Sequence, residues 1–268
     1  IEEEIETLPP VNDNKVPDVV TGKAITEAPS NYTDNQKVQY YLTQMGFDIG
    51  GIDGIVGQYT QAAILVFQHS QGLPVTGKVD AATLAALEKC AKEGRTISDT
   101  SVYAPFSPKP TNLGDPGGAS IQSRNRKEAS SSDLISIGYY RVHKDAGLAW
   151  AYLITAARMD GIDQANGRRL LTIGSGFRSI EEQTILWEDA LERYHTPEEA
   201  RRWVAPPGTS EHQTGFAIDF TMRYTSSSSN VELLRDTPEY EWMVKNAHKY
   251  GFYNYQSEPW HWSYNPPR

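Results

Sequence analysis

Ser210-Glu-His-Gln-Thr-Gly-Phe-Ala-Ile-Asp219, read together with Glu258-Pro-Trp-His261, decides how the second half of this chain folds. Phe216 to Thr221 alternates as a strand does, with Phe216, Ile218 and Phe220 pointing one way and Ala217, Asp219 and Thr221 the other. A carboxylate in the middle of such a strand needs a partner. In the last expected strand, Trp260 to Tyr264, the two tryptophans share one face and leave His261 and Ser263 on the other. If these strands are neighbours, Asp219 and His261 face each other, and Gly215 lets the chain turn so that His212 joins them. Two imidazoles and one carboxylate suit Zn²⁺, with a fourth position left for water. Glu258 lies three residues before His261, an offset that belongs to the opposite face of a regular strand. Pro259 breaks that regularity by fixing φ and removing a donor, so Glu258 is expected to reach a water and shuttle its proton. Each residue alone reads more readily as structural; the coincidence of two histidines and one aspartate among Gly, Pro and aromatic punctuation argues otherwise. His69, His143, His195 and His248 lack that context and read as surface or packing residues.

Working outward, the same half carries helix and strand signals in an order that gives an α+β fold with a mostly antiparallel sheet. A helix is expected over Asp145 to Met159, and a buried strand over Leu170 to Ile173, ending at Gly174. Ser179-Ile-Glu-Glu182 is a capping box opening a helix to about Tyr194, and Thr196-Pro197 and Thr237-Pro238 open others. Phe252 to Tyr255 reads as another aromatic strand. This domain is placed at residues 134–268. Residues 91–133 are rich in Asn, Ser, Gly and Pro and read as a linker. Before it, three short helices are expected within residues 33–90. The first is capped at Thr33 or Asp34 and stopped by Gly46, the second buries Ala63, Ile64 and Phe67, and the third buries Leu84 and Leu87. Residues 1–32 are acidic, rich in Pro and Val, and read as a flexible tail. The small bundle and the α+β domain are each expected to have a core of their own.

Composition bounds the partners. The chain has 268 residues with 25 Lys+Arg against 34 Asp+Glu, a net charge of −9, which argues against nucleic acid and against docking on anionic lipid. A single cysteine, Cys90, rules out an intramolecular disulfide framework and a four-thiolate zinc site. The longest nearly apolar run, Ala146 to Ala157, is far short of the roughly 20 residues that cross a bilayer. The sequence starts at Ile1 and reads as a processed or trimmed form, so the lack of a leader says nothing about export. A monomer is expected.

Three motifs then arrive in order: Ser175-Gly-Phe-Arg-Ser179 with Gln183, Pro207-Gly-Thr-Ser-Glu-His-Gln-Thr-Gly-Phe-Ala-Ile-Asp219, and Glu258-Pro-Trp-His261. Together they resemble the zinc D-alanyl-D-alanine carboxypeptidases of the VanY type, over about residues 134–268. The resemblance implies zinc held by His212, Asp219 and His261, with Glu258 as catalytic base. It implies that Arg178 and Ser210 help hold a substrate peptide, with Gln183 counted among the substrate contacts. Arg178 is physically apt to polarise a scissile carbonyl or clamp a terminal carboxylate. The N-terminal motifs Asp53-Gly-Ile-Val-Gly-Gln-Tyr-Thr60, Ala63-Ile-Leu-Val-Phe-Gln68, Gly72-Leu-Pro-Val-Thr-Gly77 and Asp80-Ala-Ala-Thr-Leu84 resemble the three-helix peptidoglycan-binding module of wall hydrolases. The implied function is a zinc-dependent peptidase acting on peptidoglycan stem peptides, as carboxypeptidase or endopeptidase, in a secreted, periplasmic or cell-wall setting. The competing expectation is a non-catalytic wall-binding component of a phage tail or secretion apparatus with a structural zinc. Tyr224 to Asp236 is either a lip that closes the groove or a surface loop.

Overall fold

The computed structural model describes residues 26–96 and 126–265. The expected tail over residues 1–32 and linker over 91–133 lie for the most part outside the described residues. The N-terminal part is three helices, α1 (Asp34–Gln44), α2 (Gln58–Ser70) and α3 (Ala81–Lys92). Their starts follow local chemistry. The Thr33 hydroxyl accepts from the Gln36 N–H while the Gln36 side chain accepts from the Thr33 N–H, a reciprocal cap that satisfies two otherwise orphaned donors. Asp80 caps α3 through the Thr83 N–H. Buried Gln68 ties α2 to the turn before α3: its Oε1 accepts from the Thr76 and Gly77 amides and its Nε2 donates to Thr83.

The remainder opens with an antiparallel hairpin, β1 (Leu134–Ile137) and β2 (Tyr140–His143), which goes beyond the sequence expectations. Then come α4 (Lys144–Met159), the short pair β3 (Gln164–Ala165) and β4 (Arg168–Arg169), β5 (Ile173–Ser175), α5 (Ile180–Tyr194) and α6 (Pro197–Ala200). β6 (Ala217–Phe220), α7 (Val231–Arg235), α8 (Pro238–Asn246), β7 (Phe252–Asn254) and β8 (His261–Tyr264) complete the order. One four-stranded sheet, ordered β5-β6-β8-β7 with every neighbour antiparallel, carries the residues of interest. The class is therefore α+β, with a helical N-terminal region, in line with the sequence reading. The strand expected over Leu170 to Ile173 begins only at Ile173. Leu171 has φ 57°, a left-handed conformation no strand can contain. Its N–H instead donates to the Thr221 carbonyl and its own carbonyl accepts from the Trp150 indole.

The expectation of two separate cores does not hold. The buried residues form one continuous cluster running from Val38 and Phe67 through Trp150 to Trp262. α2 explains why: Tyr59, Thr60 and every residue from Ala62 to Gln68 are buried, so the helix has no solvent face broad enough for a free-standing bundle. It packs on α4, which is buried at every position from Ala149 to Arg158. Polar contacts lock the seam. The Gln58 amide pairs with the Ile173 backbone in both directions at 2.7 and 3.0 Å, and the Tyr59 hydroxyl donates to the Asp163 carbonyl at 2.7 Å. His69 Nδ1 meets the Tyr152 hydroxyl at 2.7 Å, a packing role of the kind expected for it. Arg158, with a side chain only 2% exposed, reaches Asp48 Oδ1 and the Asp48 carbonyl at 2.7 Å, pairs with Asp163, and lies 3.7 Å over the Tyr59 ring. Heating should accordingly give a single cooperative unfolding transition. Arg158→Met should lower stability by about 1.5–3 kcal/mol, the worth of a charged hydrogen bond, since both aspartates stay half exposed. Calorimetry checks both statements; two well-separated transitions in the unaltered protein would count against the shared core.

Candidate metal centre

Asp219 is the hub, and strand register puts it there. Its Cα pairs with that of His261 across β6 and β8, while Ile218 pairs with Trp262. Alternation thus sends the acidic and imidazole groups to one face and the large apolar groups to the other. Asp219 Oδ1 lies 2.8 Å from His261 Nδ1, and Oδ2 lies 3.4 Å from His212 Nε2. One ligand atom from each of the three residues falls within 4.8 Å of the others.

His212 arrives on a single 3₁₀ turn, Glu211–Thr214, that stops at Gly215. Gly215 has φ 72°, and a Cβ there would come within 2.8 Å of the His143 amide nitrogen, so the tight return into β6 needs glycine for both reasons. The Gly176 carbonyl, which can only accept, holds His212 Nδ1 at 2.7 Å and leaves Nε2 bare toward Asp219. His261 is turned the other way, with Nδ1 toward Asp219 and Nε2 toward Glu211 Oε2 at 3.5 Å.

The electrostatics follow from this crowding. Burial opposes ionisation of Asp219, yet the adjoining His212 and His261 overcome it and hold the carboxyl far below its ordinary range. Burial likewise opposes a charge on His261, but hydrogen bonds to Asp219 and Glu211 push it up to about 10. A pocket this hungry for positive charge, made of two imidazole nitrogens and one carboxylate, fits a divalent ion of zinc's preferences with an open position.

Other expected residues surround this group. Glu258 lines the same groove without joining the three-residue cluster. Its N–H donates to the Tyr255 carbonyl at 2.8 Å, and its own carbonyl accepts from the His261 N–H at 2.9 Å and Asn254 Nδ2 at 3.1 Å. Arg178 also lines the groove, its Nη1 donating to Gln183 Oε1 at 2.9 Å and its N–H to the His212 carbonyl. Ser210 is buried at the groove wall. Gln183, expected to touch substrate, is 1% exposed, and its other end donates to the Ala205 carbonyl at 2.6 Å. It lines the groove beside Arg178 and braces that guanidinium through the bond to its Oε1. No groove-lining residue comes from Tyr224 to Asp236; the far wall is Leu186 on α5 together with Arg201 to Ala205.

The sequence reading missed Glu211. It accepts a hydrogen bond from Ser263 Oγ, faces His261 and pairs with Arg126 at 3.3 Å. Burial opposes its ionisation, but these neighbours hold its carboxyl below the usual value. Ser263 on the same face as His261 was the available signal for a second carboxylate there.

Residues 140–267 match the family model described as D-alanyl-D-alanine carboxypeptidase, VanY, and residues 31–87 match that of a putative peptidoglycan binding domain. The chain is 32% identical over 148 residues to the putative carboxypeptidase YodJ of Bacillus subtilis (strain 168), covering 51% of this chain and 50% of that protein. It is 30% identical over 131 residues to a D-alanyl-D-alanine carboxypeptidase of Enterococcus faecalis, covering 42% of this chain and 44% of the other. The chain therefore spans about half the length of the curated relatives it matches. Among solved structures, the LdcB LD-carboxypeptidase aligns with 28% identity and a TM-score of 0.44, over 52% of this chain and 70% of that one.

Proposed function

We propose that this chain, in which a VanY-family domain follows a peptidoglycan-binding module, is a zinc-dependent peptidase that trims the stem peptides of bacterial peptidoglycan outside the cytoplasm. One observation carries the proposal: His212, Asp219 and His261 converge on one point of a groove that Glu258 and Arg178 also line. Bound there by those three side chains, zinc would supply Lewis acidity toward a scissile carbonyl and make water a stronger acid at neutral pH. The chain's own groups do the rest. Glu258, half buried and fixed by its backbone, accepts the proton of the attacking water and returns it to the departing amine. Arg178, aimed by Gln183, donates to the carbonyl oxygen as it gains charge or to the terminal carboxylate of the peptide. Ser210 borders the same cleft and would bond the peptide backbone. The N-terminal module, packed on α4 through α2, would hold the groove near the wall polymer.

Mass spectrometry of defined muropeptides after incubation tests this reading. Release of free D-alanine, lost on chelation and restored by zinc, is the expected result; longer fragments would make the enzyme an endopeptidase. Retention on sacculi with no released amino acid or peptide would overturn the peptidase reading in favour of a wall-binding role. Metal loading should also compete with protons. Hydrogen bonds to Asp219 and Glu211 make His261 hold its proton more tightly than an ordinary imidazole, so zinc must displace that proton and apparent zinc affinity should fall as the pH is lowered from 8 to 6. Chelator competition across that range measures the slope; a flat profile would contradict it.

A further inference from the structure

We propose that Glu211, held by Arg126 and Ser263, is a positioning residue that fixes His261 for metal binding, and that the segment ahead of the matched domain supplies part of this support. The inference rests on the zinc reading above and concerns the layer behind the ligands. Two histidines present opposite ring nitrogens to Asp219, Nε2 from His212 and Nδ1 from His261. Each therefore needs a separate acceptor for its remote N–H, because that bond sets tautomer and ring angle. For His212 the acceptor is the Gly176 carbonyl at 2.7 Å. For His261 the group that faces Nε2 is the Glu211 carboxylate at 3.5 Å.

Glu211 is itself oriented from two sides. Ser263, one strand position beyond Trp262 and on the same face as His261, donates to Oε2, the oxygen that faces the ring. Arg126 Nη2 pairs with Oε1, the other oxygen, at 3.3 Å, and Nη1 of the same guanidinium donates to the Thr209 carbonyl. Arg126 lies fourteen positions before the start of the matched region at residue 140, yet it is built into the groove wall. The strap it belongs to is fastened at three further points. The Ala129 N–H donates to the Gln213 carbonyl at 2.8 Å, Gln213 Nε2 donates to the Arg126 carbonyl at 3.4 Å, and Glu128 accepts from the Ile180 N–H at 2.6 Å. A carboxylate enclosed this way keeps its charge and one orientation, which an amide in its place cannot reproduce: one end of the amide would turn a donor toward either the guanidinium or the imidazole.

The test is zinc affinity, read by competition with a chromophoric chelator on the full chain, with cobalt absorption as a second readout. Glu211→Gln should weaken zinc about 10- to 100-fold, the range for loss of an outer partner, and shift or broaden the cobalt bands. Glu211→Asp, which keeps the charge, should recover part of the loss. Arg126→Met, which leaves the Glu211 carboxylate and its Ser263 bond in place, should weaken zinc in the same direction by a smaller factor, and decides the matter if Glu211→Gln fails to fold. Wild-type affinity in Arg126→Met and in a folded Glu211→Gln would overturn this inference while leaving the zinc reading intact. Absence of zinc binding by the unaltered chain would instead sink the reading on which it stands.

Discussion

Glu258→Gln should cut kcat on muropeptides by about 10²- to 10⁴-fold, the usual contribution of a positioned acid–base group. The amide keeps the size and backbone contacts of the carboxylate but cannot take a proton. The geometry separates this role from metal binding, because Glu258 stands outside the His212, Asp219, His261 cluster while lining the same groove. Zinc content and KM should therefore change little. The backbone around it is unusually well tied: Asn254, 4% exposed, donates to the carbonyls of both Glu258 and His261 and accepts from the Tyr240 hydroxyl. Trp262 adds a bond to the Pro259 carbonyl at 2.9 Å. Pro259 thus interrupts the strand, and β8 resumes at His261 with the glutamate held to one side. Full turnover in the variant would remove Glu258 from the mechanism.

Gly176→Ala is the second large effect. A Cβ at this position would collide with the Arg141 carbonyl oxygen and lie 2.9 Å from Val142 Cγ1, so the backbone itself must shift. That backbone carries the carbonyl holding His212 Nδ1, and the next residue's N–H donates to the same Arg141 carbonyl at 2.6 Å. The clash therefore falls on the same residue whose carbonyl holds the His212 ring. Overpacking of this kind costs about 1–3 kcal/mol or more, which a thermal melt would register. Turnover should fall at least about 10²-fold, since displacements near 1 Å suffice for that. Gly208→Ala makes a useful contrast: it also lies near the groove, but nothing stands within 4 Å of the added carbon, so only its φ of 83° is strained. A folded Gly176→Ala protein with normal zinc affinity and turnover would show that the Gly176 carbonyl does not orient His212.

Much of the local structure was legible because it is decided within a few residues. Thr33, Ser179, Thr196 and Thr237 all cap helices through the backbone amides three positions on, as their spacing suggested, and Asp80 does the same for α3. Alternation along Ala217–Phe220 and His261–Tyr264 likewise set which side chains share a face. Failures occurred where a distant group outweighed local pattern. Leu171 sits in an apolar run that reads as strand, yet the Thr221 carbonyl and the Trp150 indole hold it left-handed. The unbroken apolar run Ala62 to Phe67 was compatible with a small bundle, and only the docking of α4 accounts for its burial on all sides.

What the sequence by itself determined is most of the helices, the faces of β6 and β8 and the grouping of His212, Asp219 and His261 as candidate ligands, because periodicity and capping act over one turn or one pleat. Tertiary structure alone decided that β6 and β8 are neighbours, that Glu211 stands behind His261, that Gln183 supports Arg178, and that the two halves share one core. Those outcomes depend on contacts between residues up to 115 positions apart, as from Gln58 to Ile173, where no local spacing carries the information. Packing and the need to satisfy every buried polar group made the choice.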